Sequence, residues 1–162
     1  MAPAIIIASV ATVLFGKLYD KRGFVLSASI SIALLSLGFL TLFVFTHSVP
    51  VFIGSLLMMC GYLSGMAVFG AKIRDLTPLG KAGMLQGVRI FSQVLVPGII
   101  GPFIGKLVLS GAEQIENSDG TYSFLPNEFI FLAALITTVI LAIYLITLFI
   151  IKRKKESKKE PR

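Results

Sequence analysis

The sequence predicts an all-α membrane protein with four to five transmembrane helices. Three observations carry this reading. The chain of 162 residues is 56% hydrophobic and 14% charged, with a mean hydropathy of +0.90; a soluble domain carries about 25% charged residues. Its apolar residues fall in runs long enough to cross about 30 Å of hydrocarbon at about 1.5 Å per residue. Its connections alternate, those rich in Lys and Arg being separated by connections with neither. The net charge of +7 sits beside membrane segments, so it reads as attraction to anionic lipid headgroups and not to nucleic acid.

Residues 1–151 are expected to form the helical bundle. Its first segment is 2–19, and the apolar part of that segment, 2–15, is short. Positive charge (Lys17, Lys21, Arg22) follows the run instead of preceding it, which excludes a secretory signal peptide. The segment reads as a transmembrane helix with its beginning missing; a re-entrant or amphipathic piece is the alternative. The second segment, 24–45, is long enough to span, and its serines (Ser27, Ser29, Ser31, Ser36) can satisfy themselves on helix carbonyls. Residues 46–50 allow only a tight hairpin.

The third segment, 51–73, contains Gly61 and Gly65, a GxxxG spacing that permits close helix contact. Met58, Met59 and Cys60 are packing residues, too few sulfur ligands for a soft metal. A lone cysteine also excludes an internal disulfide. The third connection carries Lys72, Arg74 and Lys81.

The fourth segment, 84–110, is unlike the others. It holds Gln86, Arg89 and Gln93, then Pro97, Gly98, Gly101, Pro102 and Gly105. At about 100° per residue, Gln86, Arg89, Gln93 and Pro97 share one stripe. Gly87, Gly98, Gly101 and Gly105 share the neighbouring one. The smooth stripe suits close packing. The polar stripe must meet protein or a water-filled cavity, since a central Arg in lipid costs about 2.5–3.5 kcal/mol. These residues are therefore candidates for contact with a solute. Arg89 lies near a helix end and can instead snorkel to the interface; Gln93 is deeper. Pro97 and Pro102 each remove a backbone donor. They serve either as bends that move or as static kinks fixed by packing.

The external loop, 111–128, has four acids (Glu113, Glu116, Asp119, Glu128) and no Lys or Arg. Its turn at 117–120 predicts a small hairpin returning through 121–124. Asn127 is expected to cap the fifth segment, 129–151. Residues 152–162 form a basic tail, too charged to fold alone. The positive-inside rule places the basic connections and this tail in the cytoplasm and the acidic loop outside.

The stretch GKLYDKRG, 16–23, is the second candidate site. Its bland reading is a tight turn made permissive by Gly23. Its functional reading is a charge latch in which Asp20 pairs with Arg74 or Arg89. An exposed pair contributes only about 0–1 kcal/mol, yet that can bias a balanced two-state element.

Together these stretches resemble the major facilitator superfamily. Its loop signature runs approximately G-x-L-x-D-[RK]-x-G-[RK]-[RK], and this chain matches at Gly16, Leu18, Asp20, Lys21 and Gly23. It departs at Phe24 and Val25, as does the degenerate copy of the signature between helices eight and nine. GPFIG at 101–105 is similar to the Gly-Pro signature of helix five or of its counterpart, helix eleven. The order of motifs resembles helices eight to twelve of a bacterial facilitator in the plasma membrane. The resemblance implies secondary transport of a small solute by rocking of two halves. A missing N-terminal half or a partner subunit would supply the remaining groups. Sugar or glycoside symport is the first substrate reading, and drug efflux the second. A free-standing small membrane protein that oligomerises through its Gly-rich faces is the alternative from another class.

An enzyme is disfavoured. The segments contain no Asp, Glu or His, and intramembrane hydrolysis needs a nucleophile–base pair or metal ligands. No metal or other cofactor is expected. The same lack of a carboxylate places any ion-coupling acid outside these segments.

Overall fold

A computed structural model describes residues 2–78 and 80–157, with side chains described except at 2–5, 8, 152, 153 and 155–157. Residues 158–162 of the expected tail lie outside the described residues. The element order is α1 (Ala2–Arg22), α2 (Phe24–Val44), α3 (Ser48–Leu76), α4 (Ala82–Ile90), a π-helical turn (Phe91–Leu95), α5 (Val96–Leu109), β1 (Gln114–Glu116), β2 (Tyr122–Phe124) and α6 (Phe129–Ser157). The stretches Phe24–Val44, Ser48–Leu76, Ala82–Leu109 and Phe129–Ile151 are long and apolar enough to cross a membrane. This is the all-α architecture the composition predicts.

The bundle is built around the α2–α3 hairpin. A Cβ placed on Gly61 would lie 2.5 Å from the Leu35 backbone nitrogen, and one on Gly38 would lie 2.5 Å from that of Met58. No side chain fits at either position, so the two backbones touch there. Gly65, the other half of the expected GxxxG, is looser: its nearest neighbour, Ser31 Oγ, would lie 3.7 Å away. The second close-contact glycine is therefore Gly38, on the facing helix.

α1 packs mainly on α3 and also meets α2, and α6 packs on α2. The buried cluster Tyr19, Ala28 and Val68 joins α1, α2 and α3 at their basic end, with Phe15, Phe24 and Phe69 packed against it. Phe24 and Phe69 meet edge to face, with centroids 5.4 Å apart. Two buried serines of α2 bond to backbone carbonyls at or just before their own helix, as the serine-rich pattern predicts, whereas the buried Ser64 Oγ of α3 has no partner among the described residues. Ser27 Oγ donates to the Gly23 carbonyl at 3.0 Å, and Ser31 Oγ to Ala28 at 2.9 Å.

Four local features differ from expectation, each for a physical reason. α3 begins at Ser48 rather than 51, because Pro50 lies in the first turn, where its missing N–H has no intrahelical partner to lose. The first such bond runs from the Val51 N–H to the His47 carbonyl. α1 stays helical through Arg22. The break comes at Gly23, whose φ of 77° and ψ of −179° suit only glycine. α6 runs on through Ser157 into the charged tail. Lys, Arg and Glu are good helix formers, a nucleated helix propagates readily, and cations suit its C-terminal end. Asn127 does not cap α6 through its side chain: its carbonyl accepts from the Ile130 N–H, and its Oδ1 is buried without a partner among the described residues.

The external hairpin forms as the turn signal predicts, with β1 antiparallel to β2 and Ile115 opposite Ser123.

Candidate functional site

The candidate site lies where the basic end of α3 meets α4. Here the connection 77–81 reverses the chain. A cavity of about 600 Å³ opens there, lined by Gly70 and Arg74 of α3, Thr77 and Pro78 of the connection, and Gln86 and Arg89 of α4.

Gly70 makes the room. A Cβ on it would lie 2.8 Å from Nη2 of Arg89, so the guanidinium rests on bare α3 backbone. One helical turn along, Gln93 accepts a hydrogen bond from Arg89 Nε at 3.1 Å. The i,i+4 spacing puts both side chains on one face. Arg89 and Gln93 are half-buried, while Gln86 and Arg74 are exposed. Of the expected polar stripe, the structure thus brings Gln86 and Arg89 into one cavity and ties Gln93 to Arg89.

Pro97 comes directly after a helix defect. The π turn, Phe91–Leu95, contains Gln93 and ends two residues before Pro97, and its bond runs from the Val96 N–H to the carbonyl of Phe91, five residues back. Pro97 has no N–H to give residue 93, and its ring crowds that carbonyl. The helix absorbs the mismatch by widening one turn, which shifts the phase of everything beyond it. π turns are frequent at functional sites. Pro102 lies inside an uninterrupted α5, so of the two expected bends only Pro97 coincides with a helix defect.

The glycines of the smooth stripe have no close neighbour among the described residues. Gly87, Gly98, Gly101 and Gly105 each have open space within 4 Å of a built Cβ among the described residues. No residue of Ala82–Leu109 is buried, whereas α2 and α3 each bury a third of their apolar window.

At the signature loop the partners differ from those expected. Asp20 is exposed, and among the described residues it forms no ion pair with Arg74 or Arg89. The buried hydroxyl of Tyr19 donates to Asp75 Oδ2 at 2.5 Å, and Arg74 Nε lies 3.7 Å from Asp75 Oδ1. The cause is phase. With α1 helical through Arg22, Tyr19 faces α3 and Asp20 is turned about 100° away. Tyr19 and Asp75 are the pair the sequence reading missed. Tyr19 occupies an unspecified position of the signature, so only its place at the end of an apolar run could have marked it.

Among the described residues, no three His, Cys, Asp or Glu side chains gather to hold a metal ion. The site offers a guanidinium and amides beside a π-helical turn.

Searches of curated proteins and of solved structures give no match. The family model of the Major Facilitator Superfamily matches residues 1–162, the whole chain. This agrees with the apolar helices and with the signature at Gly16–Gly23, and it makes the protein a multi-pass integral membrane protein of a family of transporters. The chain belongs to the Major Facilitator Superfamily.

Proposed function

We propose that this chain is the C-terminal portion, helices eight to twelve, of a secondary transporter that moves a small solute by alternating access. One observation carries the reading: a membrane helix bearing Arg89, Gln93 and a glycine stripe has no residue buried in its own chain. Amides and guanidinium do not face lipid without cost, so this helix needs a protein partner or a water-filled path. In this reading the partner is an N-terminal half that packs on the smooth stripe, while Gln86, Arg89 and Gln93 border the solute path. The π turn before Pro97 is the place where the helix bends as the halves rock. Hydroxyl-rich solutes such as sugars or glycosides suit the amides, and cationic drugs are the second substrate class. The basic end is cytoplasmic by charge asymmetry. The reading is of a transporter and not an enzyme.

The alternative, a self-associating scaffold, uses the same smooth stripe against a second copy. Both are tested by placing a cysteine at Gly101 (Gly101→Cys); the native Cys60 is buried. Cross-linking in proteoliposomes to a co-expressed seven-helix half, together with sugar uptake that neither part shows alone, is the expected result. Gly101–Gly101 cross-links without uptake would favour the scaffold. Robust uptake by this chain alone would overturn the partner requirement.

A further inference from the structure

A second, larger cavity lies away from the candidate site. It is a groove of about 970 Å³ between α2 and α6. Its α2 wall runs from Phe24 to Ser36 and its α6 wall from Ala142 to Phe149, with Lys72 of α3 also lining it. The lining is otherwise apolar apart from two serines, Ser29 and Ser36; the Ser29 hydroxyl is already donated to the Val25 carbonyl at 2.8 Å.

Three features narrow the occupant. The first is depth. The twelve steps from Phe24 to Ser36 span about 18 Å at about 1.5 Å per residue, close to the depth of one leaflet, about half of a 30 Å core. The groove begins at Phe24, beside the Gly23 break, and so opens at the basic edge of the membrane. The second is its confinement to that half. At the acidic end α2 and α6 are joined by the rings of Phe43 and Phe129, 6.2 Å apart. A transmembrane helix about 10–12 Å across would have to part that contact; a flexible hydrocarbon chain would not. The third is charge. The half-buried Lys72 places its ammonium 5.9 Å above the Phe24 ring, at the open end. Among the described residues no acidic side chain lines the groove, and the sequence continues from Phe149 to Lys152, Arg153, Lys154 and Lys155.

We propose that this groove is a specific site for an anionic phospholipid, with one acyl chain between α2 and α6 and the phosphate at Lys72. The bound lipid fills the gap between α6 and the α2–α3 hairpin on the basic side, where protein packing leaves it open. This goes beyond general attraction of basic loops to a charged surface, because it assigns one chain-sized slot and one cation.

The chain has no tryptophan, so a single introduced indole reports the site. The full chain carrying Ala33→Trp, in the groove, is compared with one carrying Ile140→Trp, outside the groove lining. Both are placed in vesicles of equal parts phosphatidylglycerol and phosphatidylcholine, with bromine on the acyl chains of one lipid or the other. At Ala33→Trp, quenching should show about a fivefold preference for brominated phosphatidylglycerol, the size expected of one cation near a headgroup. The preference should vanish on adding Lys72→Gln, and Ile140→Trp should show little preference throughout. Absence of quenching by either lipid at Ala33→Trp would mean that a protein segment or a second copy fills the groove, and the proposal fails. Equal quenching by both lipids, or a preference unchanged by Lys72→Gln, also overturns it. If Ala33→Trp does not fold, native mass spectrometry of the unsubstituted chain from the same lipid mixture decides. It should retain phosphatidylglycerol over phosphatidylcholine by a similar factor, and Lys72→Gln should lose that excess; no enrichment overturns the proposal.

Discussion

In α2 and α3 the small residues face each other, and in the α4–α5 segment they face open space. Gly38 and Gly61 sit where a Cβ would strike backbone at 2.5 Å; Gly98 and Gly101 have nothing described within 4 Å. Both regions read alike as small residues repeated at helical spacing in an apolar run. The difference teaches that such a pattern specifies a contact surface but not its partner. In the hairpin, three intervening residues, 45–47, bring the partner alongside. In the α4–α5 segment nothing local does so, and the reading of an external partner rests on that contrast.

The largest expected effect breaks the first half of the comparison. Gly61→Leu forces α2 and α3 apart and should destabilise the chain by about 3 kcal/mol or more, the upper range for overpacking. Gly101→Leu in the same chain should change stability by less than about 0.5 kcal/mol, as an exposed substitution does. Helicity followed through a detergent-to-dodecyl-sulfate titration measures both. Equal losses would show that Gly101 already packs within the chain, and the contrast would collapse. If Gly101→Leu is silent on stability but abolishes uptake in the assembled transporter, the docking reading is sharpened.

Next in size is the break between α1 and α2. Gly23 combines φ 77° with ψ −179°, a region that side chains rarely enter, so Gly23→Ala should cost about 1–3 kcal/mol. No atom lies within 4 Å of the added methyl among the described residues. The loss would thus come from backbone strain and not from a clash, and the same titration should register it. An unchanged midpoint would indicate that the loop relaxes freely and that the signature glycine serves another purpose.

Much of this was legible in the sequence. The helix-forming runs, the hairpin at 114–124, the self-satisfied serines and the oddity of residues 84–110 follow from hydropathy, turn chemistry and hydrogen-bonding need. What was not legible depends on phase. Tyr19 rather than Asp20 meets α3 because α1 continues helically to Arg22, and one residue of helix turns the whole signature by about 100°. Gly38 lacks a local motif and becomes visible only when α3 is laid against it. The polar stripe assumes a regular helix, and nothing in the sequence marks the π turn at 91–95 that contains Gln93.

The π turn supplies a smaller test. Pro97→Ala returns an N–H that can bond to residue 93, so the turn should tighten toward regular helix. Stability should rise by about 1 kcal/mol or less, because membrane helices already tolerate proline locally. Amide exchange at residues 91–97 should slow. If the turn is the bending point, solute turnover in the assembled transporter should fall while binding persists. Faster exchange would show that Pro97 holds the turn together instead of causing it.

The smallest effect lies farthest from the bundle, in the β1–β2 hairpin, and it contrasts a polar turn with the apolar contacts elsewhere. Asp119 accepts from the Thr121 hydroxyl at 2.6 Å and from the Thr121 N–H at 3.1 Å. These bonds, the hydroxyl's first and the backbone's second, hold its carboxyl below the usual value. A group lowered in the folded state contributes stability that is complete above its unfolded value, about 3.9 for Asp, and is lost as pH falls through the lower folded one. The hairpin should therefore keep its order from neutral pH down to about pH 4 and loosen only below it. The Thr121 amide resonance, followed by NMR in micelles, should shift with that titration. Asp119→Asn keeps an acceptor but carries no titrating carboxyl, so the shift at Thr121 should disappear while the turn, held also by the Gly120 N–H to Asn117 carbonyl bond at 3.0 Å, stays closed. A Thr121 titration that persists in Asp119→Asn would assign the acid sensitivity to the glutamates of the same loop.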